Sequence, residues 1–166
     1  MAIRLNADDF WEFSLALYCR EAVANACLSL QDRRGADVNL VLAICWAARS
    51  GYAVSDAALA SGLAATAPWS DSILRPLRAV RRSLLSFAEV DADDRQSIKH
   101  GLLAVELEAE RVSQRKIVAA LAEHMNGLST EPARNVAAIG LDLYAAKLGA
   151  TEPADRADFD AILAAL

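Results

Sequence analysis

Four arginines, Arg75, Arg78, Arg81 and Arg82, fall within eight residues. At helical spacing, positions 75, 78 and 82 share a face and Arg81 lies off it. Guanidinium groups this close repel one another unless something neutralises them, and pairing with carboxylates or phosphates is what arginine does best. Internal partners are available in Asp32, Asp37 and the run Glu106, Glu108, Glu110. The alternative is a site for a phosphorylated small molecule or an acidic partner surface. A second constellation is Gln31, Asp32, Arg33, Arg34, Gly35, Asp37 and Asn39. Its carboxylates and amides converge where one helix ends and another begins. Helix capping, with Asp32 paired to a nearby arginine, accounts for it structurally; the functional reading is a polar pocket floor that holds a ligand head group. We expect Asp32, Asp37 and Asn39 to meet Arg78 and Arg82 in one polar cluster between helices.

Other chemistries find less support. Asp155 and Asp158, and Glu106 and Glu110, have helical spacing that could hold a divalent cation, but oxygen ligands alone need several more donors. A di-iron bundle needs Glu-x-x-His; here Ser97 precedes His100 and Leu121 precedes His124 at that spacing. Asp91-x-Asp93-Asp94 faintly imitates the aspartate-rich Mg²⁺–diphosphate motif of all-α isoprenoid synthases and reads better as a helix start. No Ser/His/Asp order, glycine-rich phosphate loop or His-Glu-x-x-His is found. No metal ligand, cofactor site or catalytic residue is therefore assigned, and a binding protein is favoured over an enzyme. Trp11, Trp46 and Trp69 read as core anchors before they read as a cofactor box, with Trp11 and Trp46 kept as candidate pocket walls. Cys19, Cys27 and Cys45 sit in apolar helical contexts without a Cys-x-x-Cys pair, as reduced buried thiols do. Arg20, beside Cys19, is the only cation adjacent to any of them.

The elements that must position these groups are helices. Alanine supplies 36 of the 166 residues, the best helix former and one that lets helices approach closely. Alternation of β-branched and polar residues is nearly absent, so strands are not expected. Asp8 and Asp9 suit a helix start, followed by Phe10, Phe13 and Leu17 at helical spacing. Val23, Cys27 and Leu30 continue the pattern, which fits one bent helix or two. Gly35 ends it, and Asp37 caps a segment carrying Val41, Ile44 and Trp46 that is apolar almost all round. Ser55 or Asp56 opens an alanine-rich helix that Pro68 closes. Ser70 caps the next, and Pro76 kinks it near Arg75. Asp91, Asp93 and Asp94 open the longest helix, running to about Met125 and stopped by Gly127. On it Ile98, Leu102, Val105, Ala109 and Val112 form a heptad seam for neighbouring helices or for a second subunit. Pro132 and Gly149 bracket another helix, and Pro153 introduces a terminal one. The fold class is all-α: a single domain over residues 1–166, built as a bundle of about seven helices.

The net charge of -5 argues against nucleic acid, which attracts net positive faces. No N-terminal apolar core resembles a secretory signal, and charges interrupt every apolar run before it could span a bilayer. A cytoplasmic protein with no membrane partner is expected.

The order Phe10-Trp11-x-Phe13-Ser14-Leu15-x-x-Tyr18, then Cys27-Leu28-x-Leu30-Gln31-Asp32-x-x-Gly35-x-Asp37-Val38-Asn39, then Trp46, Trp69 and Pro76-Leu77-Arg78-x-x-Arg81-Arg82, resembles an uncharacterised proteobacterial family, domain of unknown function 2390. The resemblance covers residues 10–85, and 91–166 correspond to that family's loosely constrained C-terminal part. Ala22 stands where the family often has glycine, and Ser83 and Leu84 where a lysine often follows the arginine pair. The family carries no assigned activity. The resemblance therefore implies a bacterial protein and no reaction. The residues themselves favour a non-enzymatic binding or interaction protein using Trp11, Gln31, Asp32, Asp37, Asn39, Trp46, Arg75, Arg78, Arg81 and Arg82. Its partner is a protein or an anionic small molecule, and a homodimer is among the expected assemblies. An enzyme or carrier for a phosphorylated compound, with Mg²⁺, is the alternative.

Overall fold

Short polar side chains set the helix starts. The computed structural model describes residues 5–125 and 128–166. Asn6 caps α1 (Ala7–Tyr18), its Oδ1 accepting the Asp8 N–H at 2.9 Å, with Asp8 and Asp9 in the first turn. Residue Arg20 is extended, so the apolar pattern of residues 10–30 is two helices, and α2 (Glu21–Arg34) begins after it. Gly35 ends α2 at φ 64° in the left-handed region that glycine adopts without steric cost. One residue intervenes before Asp37 caps α3 (Val38–Arg49), accepting the Asn39 N–H at 2.9 Å. Ser55 caps α4 (Asp56–Trp69) through the Ala58 N–H.

The next junction differs from the sequence expectation. Pro68 does not close a helix and Ser70 does not cap one. A π-turn over Ser70–Leu74 joins α4 to α5 (Arg75–Ser86) in a single rod. The cause is Pro76, which has no N–H for the Ser72 carbonyl and whose ring would crowd it. The chain widens just ahead of it, and the Arg75 N–H reaches back to the Ser70 carbonyl. Asp91 then caps α6 (Ala92–Ala122), which ends three residues before Met125. The predicted stop at Gly127 lies outside the described residues. Next come α7 (Ala133–Leu148) and α8 (Pro153–Leu163), with Gly149 at φ 114° after α7. Joined as they are, the eight α-helices among the described residues make seven rods.

At the centre is α3, buried from Asn39 to Ala48, as an apolar pattern on every side requires. Phe10 and Leu17 of α1, Ile117 and Leu121 of α6, and Leu141 and Tyr144 of α7 pack round it. Gly140 allows the closest approach: a Cβ there would lie 2.6 Å from Ile44 Cγ2. On one side α2 packs on α8; on the other the α4–α5 rod runs beside α6. Trp69 ties that hairpin together, its Nε1 donating to the Ala109 carbonyl at 2.9 Å. Toward its tip the hairpin leaves the core. None of α5 is buried, and Ile98 and Val105 of the expected seam face solvent. The seam fails there because the side of α6 turned to its neighbours carries Glu106, Ala109, Ser113 and Ile117 instead. Among the described residues no helix is long and apolar enough to cross a membrane.

Candidate functional site

The arginines and the α2–α3 corner do meet, but through a carboxylate of α6. Arg78 Nη2 lies 2.5 Å from Glu110 Oε1, and Glu110 Oε2 accepts from Asn39 Nδ2. Asn39 Oδ1 in turn accepts from Gln114 Nε2 at 3.0 Å. One turn away, Arg81 Nε donates to Glu106 Oε1 at 2.7 Å. The helical period explains the row: Glu106, Glu110 and Gln114 recur every four residues on one face of α6. Pro76 and the π-turn bring Arg78 and Arg81 opposite that face.

Two cavities flank this network and share Gln31 and Arg78. The larger, 460 Å³, lies between the α2–α3 corner and the π-turn, with Asp32, Asp37, Asp71, Arg75, Arg82 and Tyr144 in its wall. The smaller, 220 Å³, is lined by Trp11, Tyr18, Leu28, Leu42, Asn39 and Gln114, with Arg78, Arg81, Glu106 and Glu110. Arg111 covers the Trp11 ring at 5.2 Å from its centroid.

Most of the positive charge is already matched. Arg75 pairs with Asp71 at 2.8 Å on the surface, Arg78 with Glu110 and Arg81 with Glu106. Arg82 and Asp32 are exposed and have no ion pair among the described residues. Arg33 and Arg34, the expected partners of Asp32, turn to α8 instead. There Arg33 meets Asp155 at 3.0 Å and Asp158 at 2.6 Å, and Arg34 meets Glu152 at 2.9 Å. The carboxylate pairs considered for a cation are thus engaged by arginines. Asp37 is different. Burial and the charge of Glu110 push its carboxyl above the usual range, against the pull of the Asn39 and Leu40 N–H groups and of Arg78. Its own backbone N–H donates to Tyr144 Oη at 2.7 Å.

Two buried side-chain atoms, Ser113 Oγ and Gln114 Oε1, have no hydrogen-bond partner among the described residues, and the second faces a fixed network. Glu110, paired with Arg78, only accepts, so Asn39 must turn its NH₂ toward it and its carbonyl toward Gln114. Gln114 must then present its own NH₂, which leaves Gln114 Oε1 without a partner among the described residues. Gln114 is 3% exposed and lines the smaller cavity.

Of the expected pocket walls, Trp11 and Gln31 line cavities. Trp46 is a core residue stacked on Phe10 with ring centroids 5.1 Å apart. Burial pushes the Cys27 and Cys45 thiols up to about 12, which makes both poor nucleophiles. Sequence reasoning singled out neither Gln114 nor Tyr144. The four-residue repeat from Glu106 was the available signal for Gln114.

A family model that spans more than half of the chain decides the relationship. The chain belongs to the DUF2390 family. That family's model, described as a protein of unknown function, matches residues 9–117. The match takes in the entire Arg78–Glu110–Asn39–Gln114 network of this DUF2390 protein and stops within α6, before α7 and α8. No curated protein and no solved structure matches the chain.

Proposed function

We propose that this DUF2390 protein is a cytoplasmic, non-enzymatic binding protein whose recognition site is the smaller cavity, the groove between Trp11 and Gln114. The observation that carries this reading is Gln114 Oε1, a buried acceptor left unpaired by a chain of hydrogen bonds that fixes its direction. Leaving such a group unmade costs about 1–3 kcal/mol, which a ligand donor would recover. The walls indicate the ligand class. Two arginines and two glutamates cancel, and Trp11, Tyr18 and Leu42 offer apolar and aromatic surface. A flat, uncharged ring or amide carrying an N–H donor fits those demands.

The anionic alternative has narrower support: of the four arginines, Arg82 is the one without a carboxylate partner among the described residues. A cytoplasmic location fits three free cysteines, two of them buried.

A thermal-shift screen of adenine, nicotinamide and simple primary amides, run beside phosphate and diphosphate with and without Mg²⁺, tests the reading. At least one uncharged donor should raise the melting temperature of the wild type and lose that effect in Gln114→Met, which keeps shape and removes the acceptor. Stabilisation by phosphates alone, or a shift that Gln114→Met leaves intact, would overturn it.

A further inference from the structure

We propose that this protein forms a two-fold dimer in which α6 packs antiparallel on α6 of a second copy, through its solvent face between Asp94 and Lys116. The face belongs to the hairpin flank turned away from the groove, so the proposal stands apart from the ligand reading.

The apolar part of this face has no partner within the chain. Ile98 is 48% exposed and Val105 54% exposed. With the half-buried Val112 they recur every seven residues, which makes one stripe along α6. Beside it, Val80 of α5 and Phe87, the extended residue that follows α5, are more than half exposed and line one apolar surface hollow. Arg78 and Arg81 turn toward Glu110 and Glu106, so helical phase places Val80 on the same flank as Ile98 and Val105. Gly101 lies within the stripe. Nothing stands within 4 Å of where its Cβ would be, so no neighbour in this chain requires a glycine in the middle of an exposed helix.

The charges identify the occupant. The stripe is acidic at its start, with Asp94 exposed, and basic at its far end, with Lys116 exposed. Reversed on itself, it becomes its own complement. Setting Asp94 against Lys116 of the partner subunit brings Ile98 opposite Val112 of the partner subunit and Val105 opposite Val105 of the partner subunit. Apolar meets apolar and acid meets base in a single register, as a closed isologous contact requires. A parallel copy would place like charges together at both ends.

Sedimentation equilibrium of the full chain from micromolar to millimolar concentration tests this. The wild type should show a concentration-dependent dimer. Val105→Glu, at a position that the fold leaves exposed, should weaken it by about tenfold or more while the helical circular dichroism stays unchanged. Asp94→Lys should weaken it as well, and adding Lys116→Asp should restore it. In a Cys19→Ser background, Val105→Cys should form a disulfide-linked dimer under mild oxidation, and Leu103→Cys, toward the groove, should not. A chain that stays monomeric throughout, a dimer indifferent to Val105→Glu, or a charge swap that fails to restore association would overturn the proposal.

Discussion

Two arginine–carboxylate networks join distant parts of this chain, and they are built to different standards. Where α2 meets α8, both arginines of α2 are matched. Arg33 holds Asp155 and Asp158, and Arg34 holds Glu152 and the carbonyls of Leu148 and Ala150. Asp155 also accepts the Glu152 N–H and closes a capping box. Burial pushes its carboxyl up, but that N–H and the two arginines outweigh burial and leave it below the usual range. Around Arg78 the account stays open. Asp37 is pushed above the usual range, and Gln114 Oε1 has no partner among the described residues. A satisfied network stabilises; an unsatisfied one is retained at a cost, and that is what a binding surface does before its ligand arrives.

The comparison breaks most visibly at Asp155, the best-buried carboxylate of the first network, its side chain 2% exposed. Asp155→Ala should cost about 2–4 kcal/mol in urea unfolding, because two guanidiniums lose their common partner and α8 loses its capping box. The upper end is moderated by Asp158 and Glu152, which remain. Since the folded carboxyl lies below its unfolded value, its contribution is fully present above about pH 4 and is lost as pH falls through the folded value. A variant as stable as wild type at pH 7 would show that the clamp is ornamental.

In the groove a smaller loss is expected. Arg78→Met should cost about 1–2 kcal/mol, because both members of the Arg78–Glu110 pair are about one-fifth exposed and water compensates in part. A double-mutant cycle sharpens the point. Coupling of Arg78 to Glu110 should exceed about 1 kcal/mol, and coupling of Arg78 to Asp37 should stay below about 0.5 kcal/mol. Equal couplings would mean that Asp37 is a direct partner of the arginine.

Much of the scaffold was legible in the sequence. Asp37, Ser55 and Asp91 announce helix starts because short acceptors compete for free N–H groups, and Gly35 announces an end because few residues tolerate its φ. The all-apolar run of α3 announces the centre. The α4–α5 rod was not legible, since Pro68 and Pro76 are ordinary breakers, yet the helix runs on through both, the second just after a π-turn. The candidate site was half legible. The crowding of the α5 arginines showed that they needed anionic partners, carboxylate or phosphate. Which carboxylates depended on the length of α6 and on the path of the rod, which local spacing does not encode. Arg33 and Arg34 illustrate the same limit: neighbours of Asp32 in the chain, they are claimed by α8 more than a hundred residues away.

The finest test concerns Asp37, where the expected change is small and its sign is informative. A carboxyl raised on folding is easier to protonate in the native state than in the unfolded one. Between its unfolded value, near 4, and its higher folded value, stability therefore falls as pH rises, and the full penalty is present at neutral pH. Asp37→Asn keeps an equally good helix cap and removes the charge that opposes Glu110. The variant should gain about 0.5–1 kcal/mol at pH 7, and the gain should shrink as pH approaches 4. At Asp155 the corresponding Asp155→Asn change should lose stability at pH 7, with the loss fading in acid. Opposite signs at two aspartates, each facing arginines across a helix junction, would separate the network that holds the fold from the one proposed to serve a ligand. Equal signs would erase the distinction.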